Sequence, residues 1–265
     1  MVWVNGEQRQ DLAVSDRAVQ FGDGCFTTAR VLAGEVQWLP AHLKRLQQAT
    51  QRLLIEHVDW RALEQEMVSA AAQQGEGVLK AIISRGSGGR GYSAAGCHLP
   101  TRIISLSAYP AHYHQWRSTG VRLALSSVRL GCNPLLAGIK HLNRLEQVLI
   151  RTQLEQTDAD EALVLDTTGR LVECCAANLF WRTGTQVFTP QLTQAGVNGI
   201  MRQHIMTLLA ERGQPCQQIS AEMAVLAHAD EVLICNALMP VLPVYQIEDW
   251  RYASRQLFDL VSPYC

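Results

Sequence analysis

From residue 42 to residue 54 apolar side chains recur at Leu43, Leu46, Ala49 and Leu53 with polar residues between them, which predicts an amphipathic helix. A second helical pattern covers 60–73. Around these lie shorter runs with the character of strands. Val2–Val4 ends in the turn pair Asn5-Gly6, and 25–32 follows Phe21-Gly22-Asp23-Gly24 and turns at Ala33-Gly34-Glu35 into 36–39. The runs 78–84 and 102–108 flank a glycine-rich loop, 85–97. Residues 109–115 are aromatic and histidine-rich around Pro110 and have the look of a connection. The pattern therefore predicts a small N-terminal domain over 1–110, a linker over 111–117 and a C-terminal domain over 118–265.

In the second half the pattern predicts a strand over 121–128 and a helix over 141–156. Two hairpins follow, 161–165 with 170–174 around Asp166-Thr167-Thr168-Gly169, and 178–181 with 186–189 around Thr183-Gly184. A helix over 199–212, a strand at 217–219, a short helix over 221–227 and a strand over 231–235 complete it. Many short strands mixed with a few helices make this an α+β chain, without internal repeats.

Composition narrows the function classes. With 48% hydrophobic and 18% charged residues the 265-residue chain can bury a large core. A formal net charge of -1 and the lack of a basic run speak against nucleic acid as a partner. No apolar stretch has the length of a membrane span, and the N-terminus has no signal-peptide pattern, so a cytoplasmic location is expected. The eight cysteines include no C-x-x-C pair, so neither a zinc site nor a disulfide framework is expected.

The chemistry centres on Lys140. The chain has three lysines, Lys44, Lys80 and Lys140, and the last follows the apolar run Leu136-Ala137-Gly138-Ile139 at the start of a helical pattern. Apolar surroundings disfavour the charged amine and leave it a nucleophile suited to Schiff-base chemistry with a carbonyl. If the carbonyl belongs to pyridoxal phosphate, the chain must also hold a phosphate and a pyridine nitrogen. Asn198, as an N-cap, with Gly199 and Ile200 opens a helix whose first amides can bind an anion. The turn after Cys235, at Asn236-Ala237, is a second possible amide nest, and Arg45 can add a guanidinium fork. Glu173, between apolar neighbours, is a carboxylate that needs a buried partner, and a protonated pyridine nitrogen is one. The loop Ser84-Arg85-Gly86-Ser87-Gly88-Gly89-Arg90-Gly91-Tyr92 has neither Walker nor dinucleotide-fingerprint spacing, which makes a nucleotide-binding module a remote alternative. Two arginines and a tyrosine on flexible glycines suit a loop that grips a carboxylated substrate.

Together, His42-x-x-Arg45-Leu46, Lys140, Glu173-x-x-x-x-Asn178-Leu179-Phe180 and Gly199-Ile200-x-Arg202 resemble the signature set of the fold-type IV pyridoxal-phosphate enzymes. That family includes branched-chain and D-amino-acid aminotransferases and the 4-amino-4-deoxychorismate lyases. The stretches 21–30, 84–92, 137–146 and 235–240 look closest to the bacterial lyases. Phe26-Thr27-Thr28-Ala29-Arg30 stands where the aminotransferases usually show Phe-Glu-Gly-Ile-Arg. The resemblance implies a small N-terminal α/β domain and a larger C-terminal domain with pyridoxal 5'-phosphate between them, in a homodimer. It implies that Lys140 bonds to the cofactor and that Glu173 holds its pyridine nitrogen. Arg45 and the backbone of Gly199, Ile200 and Ala237 would hold its phosphate, with the Asn236 side chain. Arg90 and Tyr92 would meet a substrate carboxylate, with Thr28, Arg30 and Tyr109 in the substrate pocket. The activity implied is elimination of pyruvate from 4-amino-4-deoxychorismate, with transamination on the same fold as the alternative.

Overall fold

A computed structural model describes residues 1–265 and divides into two compact units. Unit 1 is Met1–Pro110 with Ile139–Asn143, and unit 2 is Ala111–Gly138 with Arg144–Cys265.

Unit 1 runs β1 (Val2–Val4), β2 (Glu7–Gln8), α1 (Arg17–Phe21), β3 (Gly24–Leu32), β4 (Glu35–Val36), α2 (Leu39–Arg52), α3 (Trp60–Ala71), β5 (Glu76–Ser84) and β6 (Thr101–Ser107). The strands form one antiparallel sheet in the order β2-β1-β6-β5-β3-β4. Side chains alternate across a strand, so the two faces of β3 have different tasks. Cys25, Thr27, Ala29 and Val31 are buried, while Phe26, Thr28 and Arg30 on the opposite face are half-buried. The buried face packs with Leu46 and Ala49 of α2 and Leu63 and Met67 of α3. The strand expected over 36–39 stops at Val36, because Trp38 takes a left-handed φ of 59° and Leu39-Pro40 then open the first turn of α2.

Unit 2 runs α4 (His112–Thr119), β7 (Val121–Leu125), α5 (Leu145–Leu154), β8 (Glu161–Leu165), β9 (Leu171–Cys174), β10 (Asn178–Thr183), β11 (Gln186–Pro190), α6 (Ile200–Glu211), β12 (Gln217–Ile219), β13 (Glu231–Cys235), β14 (Leu242–Ile247), β15 (Trp250–Arg251) and α7 (Gln256–Val261). Its mixed sheet has the order β12-β11-β10-β13-β14-β7-β8-β9, with β15 on β14. Strand β13 is buried along its whole length, because both faces of the sheet are covered. Trp181, Val232 and Ile234 enter a core with Leu123, Leu163 and Leu179. Their neighbours Phe180 and Leu233 enter another with Met201, Ile205 and Phe258 from α6 and α7.

Several expectations need correction. The linker expected over 111–117 lies largely within helix α4, which is held by Tyr113 and Trp116 packing on the core of unit 2. The helix expected from 141 begins at Leu145, since Lys140–Leu142 pair with the start of β3 in unit 1 instead. Asn198 does not cap α6; Gly199 occupies that position, and the Asn198 side chain accepts a hydrogen bond from Arg202. No helix is long and apolar enough to cross a membrane.

The C-terminal helix is anchored by one carboxylate. Glu231 is 1% exposed and accepts from the amides of Leu257 and Phe258 at 2.8 Å each, from Ser254 Oγ at 3.2 Å and from Arg182 Nε at 3.3 Å. Glu231→Ala leaves those buried donors without their acceptor. We expect a loss of about 3 kcal/mol, a fall in Tm of roughly 6–12 °C by circular dichroism. A Tm within a degree of wild type would show that α7 is held by packing alone.

Candidate active site

In unit 1, Lys140 lies on an extended segment that pairs with the start of β3. Phe26 donates its amide to Lys140 O at 2.9 Å, Leu142 donates to Gly24 O at 3.0 Å, and Cys25 and His141 form an antiparallel bridge. The expected helix start at Lys140 is thus replaced by a strand-like pairing, which holds the lysine backbone on both sides. Lys140 is half-buried, with Nζ 4.7 Å from the centre of the Phe26 ring. Thr28 and Arg30 follow Phe26 on the same face of β3. The Arg30 guanidinium lies 4.5 Å from the Tyr109 ring centre and bonds Glu76 at 2.6 Å. The structure therefore brings Lys140, Phe26, Thr28, Arg30 and Tyr109 to one side of the sheet.

Arg45 is on α2 and half-buried, and burial draws its pKa down to about 10, so it stays charged at neutral pH. One turn earlier, His42 is fully buried with Nδ1 2.5 Å from Thr27 Oγ1, and its Nε2 has no hydrogen-bond partner. Burial, helped by the charge of Arg45, pulls the His42 pKa from 6.5 to about 3. The unfolded chain therefore takes up a proton at His42 near pH 6.5 that the folded chain refuses until about pH 3. Stability from this residue is complete above pH 6.5 and is lost as pH falls from there toward 3. Tm measured against pH should fall through that window in the wild type and more gently in His42→Gln. Parallel curves would assign the acid sensitivity to other groups.

Arg90 and Tyr92 are on the exposed loop between β5 and β6. Tyr92 is 91% exposed, and its ring lies 5.5 Å from that of Phe21.

In unit 2, Glu173 is on β9 and 5% exposed, and its Oε2 accepts the Val197 amide at 2.8 Å. Val197 belongs to the loop that leads into α6, and Gly196, Val197, Asn198 and Gly199 of that loop are each held by a hydrogen bond. Gly138 donates to Gly196 O at 2.8 Å, and Asn198 donates to Gly138 O at 3.1 Å. Asn178 Nδ2 donates to Val197 O at 2.8 Å, and its Oδ1 accepts the Gly199 amide at 3.1 Å. A Cβ at Gly199 would lie 2.0 Å from Asn178 Oδ1, so only glycine allows this approach. Buried Arg202 donates to Asn198 Oδ1, Pro190 O and Gln218 Oε1 at 2.8–2.9 Å. Because the Gly199 amide is taken by Asn178, the opening of the helix toward an anion begins at Ile200, whose N–H has no carbonyl four residues back within α6.

The Asn236 side chain shapes its own turn. Its Oδ1 accepts the amides of Leu238 and Met239 at 2.8 and 2.9 Å, and its Nδ2 donates to Ala176 O at 3.0 Å. It thereby ties the turn carrying Ala237 to the segment just after Glu173. Asn178 and Arg202 were visible in the sequence as motif positions, but their clamping role was not. Arg144 lies in the stretch 137–146, but no signal of its own gives it a role there. Burial lowers its pKa against the opposing charges of Glu173 and Glu146.

Residues 24–247 match the family model described as amino-transferase class IV. The chain belongs to this family. Similarity is high to the aminodeoxychorismate lyase of Vibrio harveyi, at 40% identity over 244 residues, 92% of this chain and 90% of that protein. The crystal structure of 4-amino-4-deoxychorismate lyase from Pseudomonas aeruginosa matches with a TM-score of 0.93 and 38% identity, covering 100% of this chain and 99% of that one. A hypothetical aminotransferase from Mycobacterium tuberculosis in a PLP-bound form shares the fold, with a TM-score of 0.86 and 20% identity, covering 99% and 97%. The class IV family uses pyridoxal 5'-phosphate. The residues present fit that group: a half-buried amine, a nearly inaccessible carboxylate, and a helix N-terminus opened by a glycine whose Cβ position is filled by Asn178.

Proposed function

We propose that this protein converts 4-amino-4-deoxychorismate to p-aminobenzoate and pyruvate, as a pyridoxal-phosphate-dependent lyase. The likeness along nearly the whole chain to two lyases of that name carries the reading, and the chemistry of the residues held in each unit agrees with it. Lys140 of unit 1 would anchor the cofactor covalently, and Arg45 would neutralise its phosphate together with the backbone amides of Ile200 and Ala237. Gly199 and Asn236 shape those two amide sites. Glu173 would hold a proton at the pyridine nitrogen.

When bound, the cofactor supplies an electron-withdrawing ring conjugated to the substrate's amino-bearing carbon. Lys140 Nζ then takes the proton from that carbon. As the electrons move to make the carbocycle aromatic, the carbon–oxygen bond to the enolpyruvyl group breaks. Lys140 returns the proton to the methylene carbon of the departing enol, which leaves as pyruvate. Glu173 would keep the pyridine nitrogen protonated throughout, from a buried site where water does not screen it. Arg90 and Tyr92 would meet a substrate carboxylate, and Arg30, with Thr28 and Tyr109, would line the pocket beside Lys140.

We also assign a homodimer. Helix α5 presents Leu145, Val148 and Leu149, at 77%, 57% and 56% exposure, as an apolar stripe at i, i+3 and i+4. A second copy of the chain would cover it, and sedimentation velocity tests this. The eight free thiols suit a reducing, cytoplasmic setting.

The decisive experiment is release of pyruvate and p-aminobenzoate from 4-amino-4-deoxychorismate by the purified protein. Equimolar products support the lyase. Amino transfer from an amino acid to a keto acid without pyruvate release would favour an aminotransferase.

A further inference from the structure

Beneath the exposed loop that carries Arg90 and Tyr92 lies a buried arginine to which the mechanism gives no part. Arg17 is 4% exposed. Its Nη1 donates to Gly91 O at 3.0 Å and Ser93 O at 3.1 Å, and its Nη2 donates to Tyr92 O at 3.3 Å. One guanidinium thus holds three successive carbonyls of the loop. Its Nε bonds Asp23 Oδ2 at 2.8 Å, and Asp23 also takes Arg85 Nε at 2.7 Å and Nη2 at 3.1 Å. Burial alone would raise the Asp23 pKa, but the hydrogen bonds from Arg85 and Arg17 bring it below the usual carboxylate value, so the cluster is charged at neutral pH. Asp16 anchors the other side. Its Oδ1 accepts from Ala18 N at 2.8 Å and Ser84 Oγ at 2.7 Å, and its Oδ2 accepts from Thr101 Oγ1 at 2.7 Å. Ser84 and Thr101 are the strand ends from which the loop springs.

The same stretch reaches the lysine segment. Gly22 O accepts from Asn143 Nδ2 at 3.0 Å, and Gly24 O accepts from Leu142 N at 3.0 Å, on either side of Asp23. Loop and lysine are therefore referred to one short piece of chain, residues 16–24.

We infer that Arg17, braced by Asp23, is a positioning residue that pre-orders the Arg90–Tyr92 loop for a carboxylated substrate and keeps it in register with the Lys140 segment. This rests on the substrate role proposed above for Arg90 and Tyr92. A buried guanidinium is costly unless its donors are satisfied, and here they are satisfied by the backbone of a loop that otherwise faces water. Ordering a loop before substrate arrives removes that entropy from the binding step, so its loss should appear in KM more than in kcat.

Two variants test this in the full-length holoenzyme. Arg17→Lys keeps the charge but cannot span three carbonyls. Gly91→Ala disturbs the loop without touching α1, since Gly91 has a left-handed φ of +57° that a side chain disfavours, while a Cβ there would meet nothing within 4 Å. In both, amide hydrogen exchange over residues 86–99 should quicken, and KM for 4-amino-4-deoxychorismate should rise roughly tenfold or more, with kcat changed less. Gly91→Ala, on an exposed loop and with open space around the new methyl group, should retain the wild-type Tm, which separates positioning from general stability. Unchanged exchange in Arg17→Lys would overturn the clamp, and faster exchange with unchanged KM in both variants would overturn its role in substrate positioning. If the wild type itself releases no pyruvate, the lyase reading fails, and the exchange rates still decide whether Arg17 orders the loop.

Discussion

A Lys140→Ala protein is expected to lose pyruvate release by at least about 10⁴-fold, because the covalent anchor and the proton carrier vanish together. Lys44 is exposed on α2 and offers no replacement. Lys80, on β5 and paired with Thr28, also has its Nζ 4.7 Å from the centre of the Phe26 ring, so Lys80→Ala, which should retain pyruvate release, is the control. The Lys140 substitution should leave the fold intact. The Lys140 segment is held through the backbone of Phe26, Lys140, Leu142 and Gly24, and none of those bonds uses the amine. The measurement is a coupled pyruvate assay beside the absorbance of added pyridoxal phosphate, with thermal unfolding as the control. Lys140→Arg should be equally inactive, since guanidinium stays protonated and cannot act as the base. Turnover close to wild type in either protein, with Tm preserved, would remove Lys140 from the mechanism.

Glu173→Gln is expected to reduce kcat by roughly 10²–10³-fold, the usual scale for removing one pre-organised electrostatic group. The amide oxygen can still accept from Val197, so the loop into α6 keeps its anchor. A buried carboxylate adds little net stability, because desolvation offsets its interactions, so Tm should change little. That pairing of effects separates the two possible roles of the residue. A carboxylate that served only the architecture would show the reverse, a lowered Tm with kcat retained.

The elements with a clear local period were legible before any coordinates. The helix around Leu43, Leu46, Ala49 and Leu53 and the hairpins of unit 2 stand close to where the hydrophobic pattern places them. β14 and α7 escaped notice because their apolar runs lack a distinguishing period. α4 was hidden by Pro110 and a cluster of histidines, and it became a helix through Tyr113 and Trp116 meeting the core. The chemistry-bearing residues were legible by type: an amine after an apolar run, a glutamate among apolar neighbours, a glycine at a helix start.

What the sequence by itself determined is thus the period of the strands and helices, the family, and the identity of the groups that do chemistry, since these are properties of residues and their near neighbours. The tertiary structure decided where each group is held. Lys140 sits in a strand-like pairing with β3, more than a hundred residues earlier in the chain, and not at a helix start. Asn178 reaches Gly199 and Val197 across about twenty residues, and Arg17 reaches Gly91 across 74. Such hydrogen bonds satisfy buried polar groups at long range, and they leave no periodic trace in the chain, because only the folded backbone brings donor and acceptor together.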